Sequence, residues 1–148
     1  MELNKLEEIE EIKKVKARYF RLMDQKRWRE WRELFTEDVV AVYHGAPRGN
    51  QNEEQAALRC EGREHLVTKV SSLLANVVSV HHGHMPEIEL TSPTTATGVW
   101  AMFDYLRFPT STLKGYGHYE EDYVKEAGAW KIKRILLTRL HCDETWEK

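Results

Sequence analysis

Three histidines in four positions, His81, His82 and His84, interrupt a stretch that opens as an apolar strand, Val77-Val78-Ser79-Val80, and continues into Pro86, Glu87 and Glu89. Imidazole titrates near neutrality, so a histidine on an otherwise apolar strand can move protons, ligate a metal or mark a wet edge. For His81 the proton-moving reading needs a carboxylate to hold the ring in one tautomer, and Asp24, at the junction of two helical patterns, could supply it. The bland alternative makes His81 a hydrogen-bonded core residue and Asp24 the N-cap of the second helix. His82-x-His84 followed by Glu89 also has the spacing of a strand-borne metal motif, because alternate strand residues point the same way. Pro86 breaks the strand between these ligands, and no second ligand set follows. The expectation is therefore no metal and no cofactor.

Two more charges stand in apolar rows. Asp104 shares a strand face with Trp100, Met102 and Leu106, and Arg139 with Ile135 and Leu137. A lone buried charge is costly unless paired, so both need polar company. One internal cavity would satisfy them together with His81. Asp104 could handle protons or bridge to Arg139, and Arg139 could clamp a substrate carboxylate or phosphate. Tyr19, on the apolar face of the first helix, is either a core aromatic or a hydrogen-bond donor to a substrate oxygen.

The elements that must carry these residues follow from periodicity. Ile9, Ile12, Val15, Tyr19 and Leu22 recur at steps of three and four, predicting a helix from Leu3 to Met23. Trp28, Trp31 and Leu34 begin a second, shorter stripe. Thr36-Glu37-Asp38 reads as a turn, Val39–Tyr43 as a strand and His44–Ala57 as a polar loop that could act as a lid. Arg63–Ala75 reads as a third helix. The period then changes to two, with candidate strands at Val77–Met85, Glu87–Thr91, Ala96–Phe108, Lys114–Lys125 and Ala129–His141. Helices followed by an antiparallel meander argue for α+β. Glu144–Lys148 is expected to fray.

The 148 residues suit a single domain spanning the chain. With 41% hydrophobic and 31% charged residues and a formal charge of −2, nothing draws the chain toward nucleic acid or an acidic membrane. No stretch is apolar enough for a membrane span. Cys60 and Cys142 have no C-x-x-C spacing and read most simply as free thiols of a reduced cytoplasmic protein, with a secreted protein holding one disulfide as the alternative. Both faces of the strand Ala96–Phe108 are largely apolar while one helical layer covers one face, so a homo-oligomer is expected.

Tyr19-Phe20-Arg21-Leu22-Met23-Asp24, the Trp-rich second helix, Leu34-Phe35-Thr36-Glu37-Asp38-Val39 and Trp130-Lys131-Ile132 together resemble the SnoaL-like families of the nuclear transport factor 2-like superfamily. That resemblance implies a cone, a strongly curved antiparallel sheet wrapped around about three helices with a deep pocket. His81-x-Gly83-His84-x-Pro86-Glu87-Ile88, Thr94-Thr95-Ala96-Thr97-Gly98-x-Trp100 and Asp104-x-Leu106-x-Phe108 look most like the bile acid 7α-dehydratases, with scytalone dehydratase and hexachlorocyclohexane dehydrochlorinase further off. The resemblance implies catalytic positions at Tyr19, Asp24, His81, Asp104 and Arg139, with Asp24 and His81 the pair shared by the wider group. It implies a trimer first and a dimer second. The sequence departs from that pattern at the charged loop His44–Ala57, with Arg48 in it and Arg59 nearby, a region that helps set the substrate. The function so implied is a cofactor-independent lyase, a dehydratase acting on a hydrophobic cyclic ketone-containing, steroid- or polyketide-like substrate. A non-catalytic ligand-binding cone and an isomerase using the same pocket are the alternatives.

Overall fold

The computed structural model describes residues 2–47 and 57–148. Helix α1 spans Glu2–Asp24, and Ile12, Val15, Tyr19 and Leu22 are buried along one stripe. It ends in a Schellman turn, in which Arg27 N–H donates to Leu22 O and Lys26 N–H to Met23 O. Lys26 takes the left-handed conformation there, with φ 58°. A lysine in that conformation is strained relative to glycine. Its ammonium offsets the strain by donating to Leu74 O at 2.7 Å and to Val77 O, which ties the turn to the start of the meander. Asp24 is thereby fixed as the last residue of α1. Helix α2, Trp28–Arg32, follows with Arg27 at its N-cap, and Trp31 Nε1 donates to Tyr19 O at 3.1 Å.

The strands are β1 (Phe35–Pro47), β2 (Ala57–Glu61), β3 (Val78–Ser92), β4 (Thr95–Arg107), β5 (Ser111–Glu126) and β6 (Ala129–Trp146), with helix α3 (Arg63–Leu73) between β2 and β3. They form one six-stranded sheet in the order β2-β1-β6-β5-β4-β3. Strands β3 to β6 are the expected antiparallel meander. Helix α1 packs on β3 and β6, and α3 on β1 and β2. No helix among the described residues is long and apolar enough to cross a membrane.

The α+β class stands, but the cone-shaped antiparallel sheet does not. The sheet is mixed, because β1 runs parallel to β6, and it is open, with β2 and β3 at its two edges. The reason lies in the connection. β1 enters from the helical layer, not through a hairpin, so its direction beside β6 is not forced to alternate. Several boundaries also move. Thr36-Glu37-Asp38 belongs to β1, which runs on past His44 to Pro47. Ala57, the last residue of the expected loop, opens β2, whose other residues were assigned to no element, and β2 pairs with β1. The remainder of the expected loop, including Arg48, lies outside the described residues. β3 passes through Pro86 without ending, since an irregularity between His84 and Glu87, with Met85 at φ 43°, absorbs the proline. β6 extends to Trp146, where fraying was expected.

Candidate active site

The end of α1 presents Asp24 to β3. One carboxylate oxygen, Oδ1, accepts from His81 Nδ1 at 2.6 Å and from Ser79 Oγ at 2.9 Å. The other, Oδ2, accepts the backbone N–H of His81 at 2.8 Å. None of these partners is a helix amide, so Asp24 is not an N-cap. Ser79 and His81 are two residues apart on one strand and therefore share a face. With Nδ1–H donating to the carboxylate, Nε2 carries the ring's lone pair. The imidazole stacks on Phe20 at 6.3 Å between centroids with 11° between planes.

His81 lines an apolar cavity of about 220 Å³ together with Tyr19, Tyr43, Tyr119, Asp104 and Arg139, while Leu58, Val70, Leu74, Leu106 and Phe108 supply hydrocarbon walls. Asp24 stands behind His81 and does not line it. Tyr19 and Tyr43 bond through their hydroxyls at 2.9 Å. Burial is the main cause that pushes the phenols of Tyr19, Tyr43 and Tyr119 above the ordinary tyrosine range, so they remain neutral donors.

His81 and Asp104 are cross-strand partners in the β3–β4 register. Asp104 forms a two-pronged pair with Arg139, Nη1 to Oδ1 and Nη2 to Oδ2, each 2.9 Å. Arg139 Nε also donates to His44 O at 2.8 Å. Burial works against the guanidinium's charge, but the bonds to Asp104 and its negative charge outweigh it and hold the Arg139 pKa above its usual value. Gly115 is what makes room for the pair. A Cβ there would stand 1.8 Å from Arg139 Nη1 and 2.3 Å from Asp104 Oδ1.

Four of the five expected site residues thus share one cavity, and the fifth holds the histidine from behind. His82, His84 and Glu89 are exposed. Among the described residues no group of three or more His, Cys, Asp or Glu side chains is placed to hold a metal. Trp31, Trp100 and Trp130 are buried, and Trp28 packs against the core. Sequence reasoning missed Ser79 and Tyr43, and placed Tyr119 only within the strand segment His118–Asp122, part of which was expected at the pocket rim. The signal for Ser79 was present, two residues before His81 on an apolar strand. Tyr43 stood at the end of an expected strand, where it read as an ordinary β-former.

A family model described as a SnoaL-like domain matches residues 4–135. Among solved structures, a candidate scytalone dehydratase from Novosphingobium aromaticivorans aligns at a TM-score of 0.84 and 21% identity, covering 100% of this chain and 94% of that one. A type 2 hexachlorocyclohexane dehydrochlorinase aligns at 0.81 and 13%, covering 98% and 93%. A protein of unknown function from Mycobacterium tuberculosis, carrying an Asp-to-Asn substitution, aligns at 0.76 and 23%, covering 92% and 73%. At these identities the likeness is one of fold.

Proposed function

Because this chain belongs to the SnoaL-like family of the nuclear transport factor 2-like superfamily, we propose that it is a cofactor-independent dehydratase acting on a hydrophobic cyclic ketone that carries a hydroxyl group, steroid- or polyketide-like in character. The observation that carries this reading is the His81–Asp24 pair at an apolar cavity, with Nδ1 bonded to the carboxylate and the lone pair of Nε2 left for chemistry. His81 removes a proton alpha or vinylogous to the ketone, and Asp24 stabilises the imidazolium that results. Tyr19, supported by Tyr43, donates to the developing enolate. The C–O bond then breaks, the hydroxide takes a proton from the imidazolium and leaves as water, and the carbon–carbon double bond forms. Asp104 and Arg139 orient the substrate as a fixed dipole in the wall. Isomerisation would begin with the same proton abstraction, and only the substrate's hydroxyl separates the two reactions.

The test is a panel of cyclic β-hydroxyketones and matched unsaturated ketones without the hydroxyl, followed by enone absorbance and product mass. Loss of water from the hydroxyketones supports the dehydratase. Double-bond migration alone makes the protein an isomerase, and tight binding with no turnover makes it a binding protein.

We also assign a homo-oligomer, a trimer before a dimer. A ladder of rings, His82–Phe103–Tyr116–His141, crosses four strands on the outer face at centroid spacings of 6.0, 5.3 and 5.8 Å. Such a face suits a second copy of the chain. Light scattering giving a monomer at micromolar concentration would overturn it. The free thiols Cys60 and Cys142 suit a reduced cytoplasmic location.

A further inference from the structure

Lys16 lies one helical turn before Tyr19 on α1 and is wholly buried. Its ammonium stands 2.6 Å from Oε2 of Glu121 on β5, a side chain equally removed from solvent. The second oxygen of Glu121 accepts from Tyr123 OH at 2.6 Å, and that hydroxyl accepts from Trp100 Nε1 at 3.0 Å. The carboxylate is therefore well satisfied. The ammonium has one such bond, and its other neighbours are ring faces. Nζ is 3.4 Å from the centroid of Tyr119, 3.9 Å from that of Tyr19 and 4.7 Å from that of Phe20.

Burying this pair is costly, and apolar side chains of similar volume would fill the space without that cost. Burial outweighs the pull of Glu121 and leaves the Lys16 pKa lowered to about 8. The network stands behind the cavity, so the cost falls against Tyr19 and Tyr119, two of the three phenols that line it. A cation against a ring face is attracted to the π-electrons, and the attraction grows as the phenol gains negative charge. The same field favours a phenol that shares its proton with an oxyanion.

We propose that Lys16 is a positioning residue whose buried ammonium, held by Glu121 against the rings of Tyr19 and Tyr119, makes those phenols stronger hydrogen-bond donors into the cavity. The inference rests on the reading of Tyr19 as the donor to the developing enolate. Glu121 opposes the effect, but the ammonium is the end of the pair in contact with the rings.

The experiment replaces Tyr19 with a trifluorinated tyrosine, whose phenol titrates near neutrality, and follows its ionisation by fluorine NMR. Removing both charges together, as Lys16→Met with Glu121→Gln, leaves no unpaired buried ion. The expected result is a rise in the phenol pKa of about one unit, a tenfold loss of acidity. Tyr123→Phe loosens Glu121 without removing a charge and should leave that pKa in place, although it lowers the melting temperature. An unchanged pKa in the double variant, or an equal shift in Tyr123→Phe, overturns the proposal. If the double variant does not fold, Lys16→Gln with Glu121→Gln keeps a polar bridge and is read the same way. Failure of both to fold makes the pair purely structural and overturns the proposal too. Because the readout needs no substrate, a pKa shift without turnover sinks the dehydratase alone, and turnover without a shift sinks the role of Lys16 alone.

Discussion

Two carboxylates flank the same cavity and are used in opposite ways. Asp24 holds His81 by one ring nitrogen, and the second nitrogen has no hydrogen-bond partner among the described residues. Asp104 places both oxygens on Arg139, whose Nε is also bonded, so this pair is closed on itself. The first pair can change protonation without breaking its own geometry. The second would lose two charge-assisted bonds if either partner changed state. In the proposed dehydratase the first pair moves the proton and the second keeps the shape of the cavity.

The largest effect expected from that contrast is on turnover. His81→Ala should lower the rate on any substrate found by about 10²–10⁴-fold, and Asp24→Asn by a comparable factor, with little change in melting temperature. A variant that loses its fold along with its rate would make the His81–Asp24 pair structural and erase the contrast.

The Asp104–Arg139 pair should show the reverse signature. Asp104→Ala leaves a buried guanidinium unpaired and should cost about 3–5 kcal/mol in urea denaturation. Asp104→Leu combined with Arg139→Met should recover most of that loss. A double variant as unstable as the single one would mean that more than the ion pair depends on these side chains.

Gly115→Ala tests the same pair without touching either charge. The added methyl would overlap Arg139 Nη1 and Asp104 Oδ1, and the overpacking should cost about 1–3 kcal/mol. A neutral result would show that the guanidinium can slide aside.

The smallest effect is confined to alkaline solution. Tyr19, Tyr43, Tyr119 and Tyr123 are held above the ordinary value of 10.0, chiefly by burial. An unfolded tyrosine releases its proton near that value while the folded one keeps it. Their contribution to stability is therefore complete below about pH 10 and lost as the pH rises above it. With Tyr105 and Tyr116, which lie outside this set, replaced by Phe, tyrosinate absorbance should rise together with the loss of circular dichroism. Tyrosinate appearing well before unfolding in that variant would mean that the phenols around the cavity are open to solvent.

Periodicity reported where each side chain would point, and little about what it would meet. Tyr19 on the apolar stripe of α1, and Asp104 and Arg139 in apolar rows, were correctly placed as inward-facing. The same stripe contained Lys16, four residues after Ile12 and three before Tyr19, yet a lysine near Lys13, Lys14 and Arg18 on a charged helix reads as a solvated side chain. Its burial depends on Glu121, 105 positions away, which no local pattern connects to it. Pro86 read as a strand end because a proline lacks the amide that a ladder uses. The irregularity that carries β3 past it exists only against β4.

The amino-acid order by itself determined the α+β class, the three helices among the described residues, the antiparallel meander and the inward direction of His81, Asp104 and Arg139, because burial follows periods of 3.6 and 2 that can be counted along the chain. The open, mixed sheet, the parallel partner of β1, the bond between Asp24 and His81 and the separation of one open pair from one closed pair were decided only in three dimensions. These are contacts between residues 35 to 105 positions apart, and hydrogen-bond partners are chosen by distance in space.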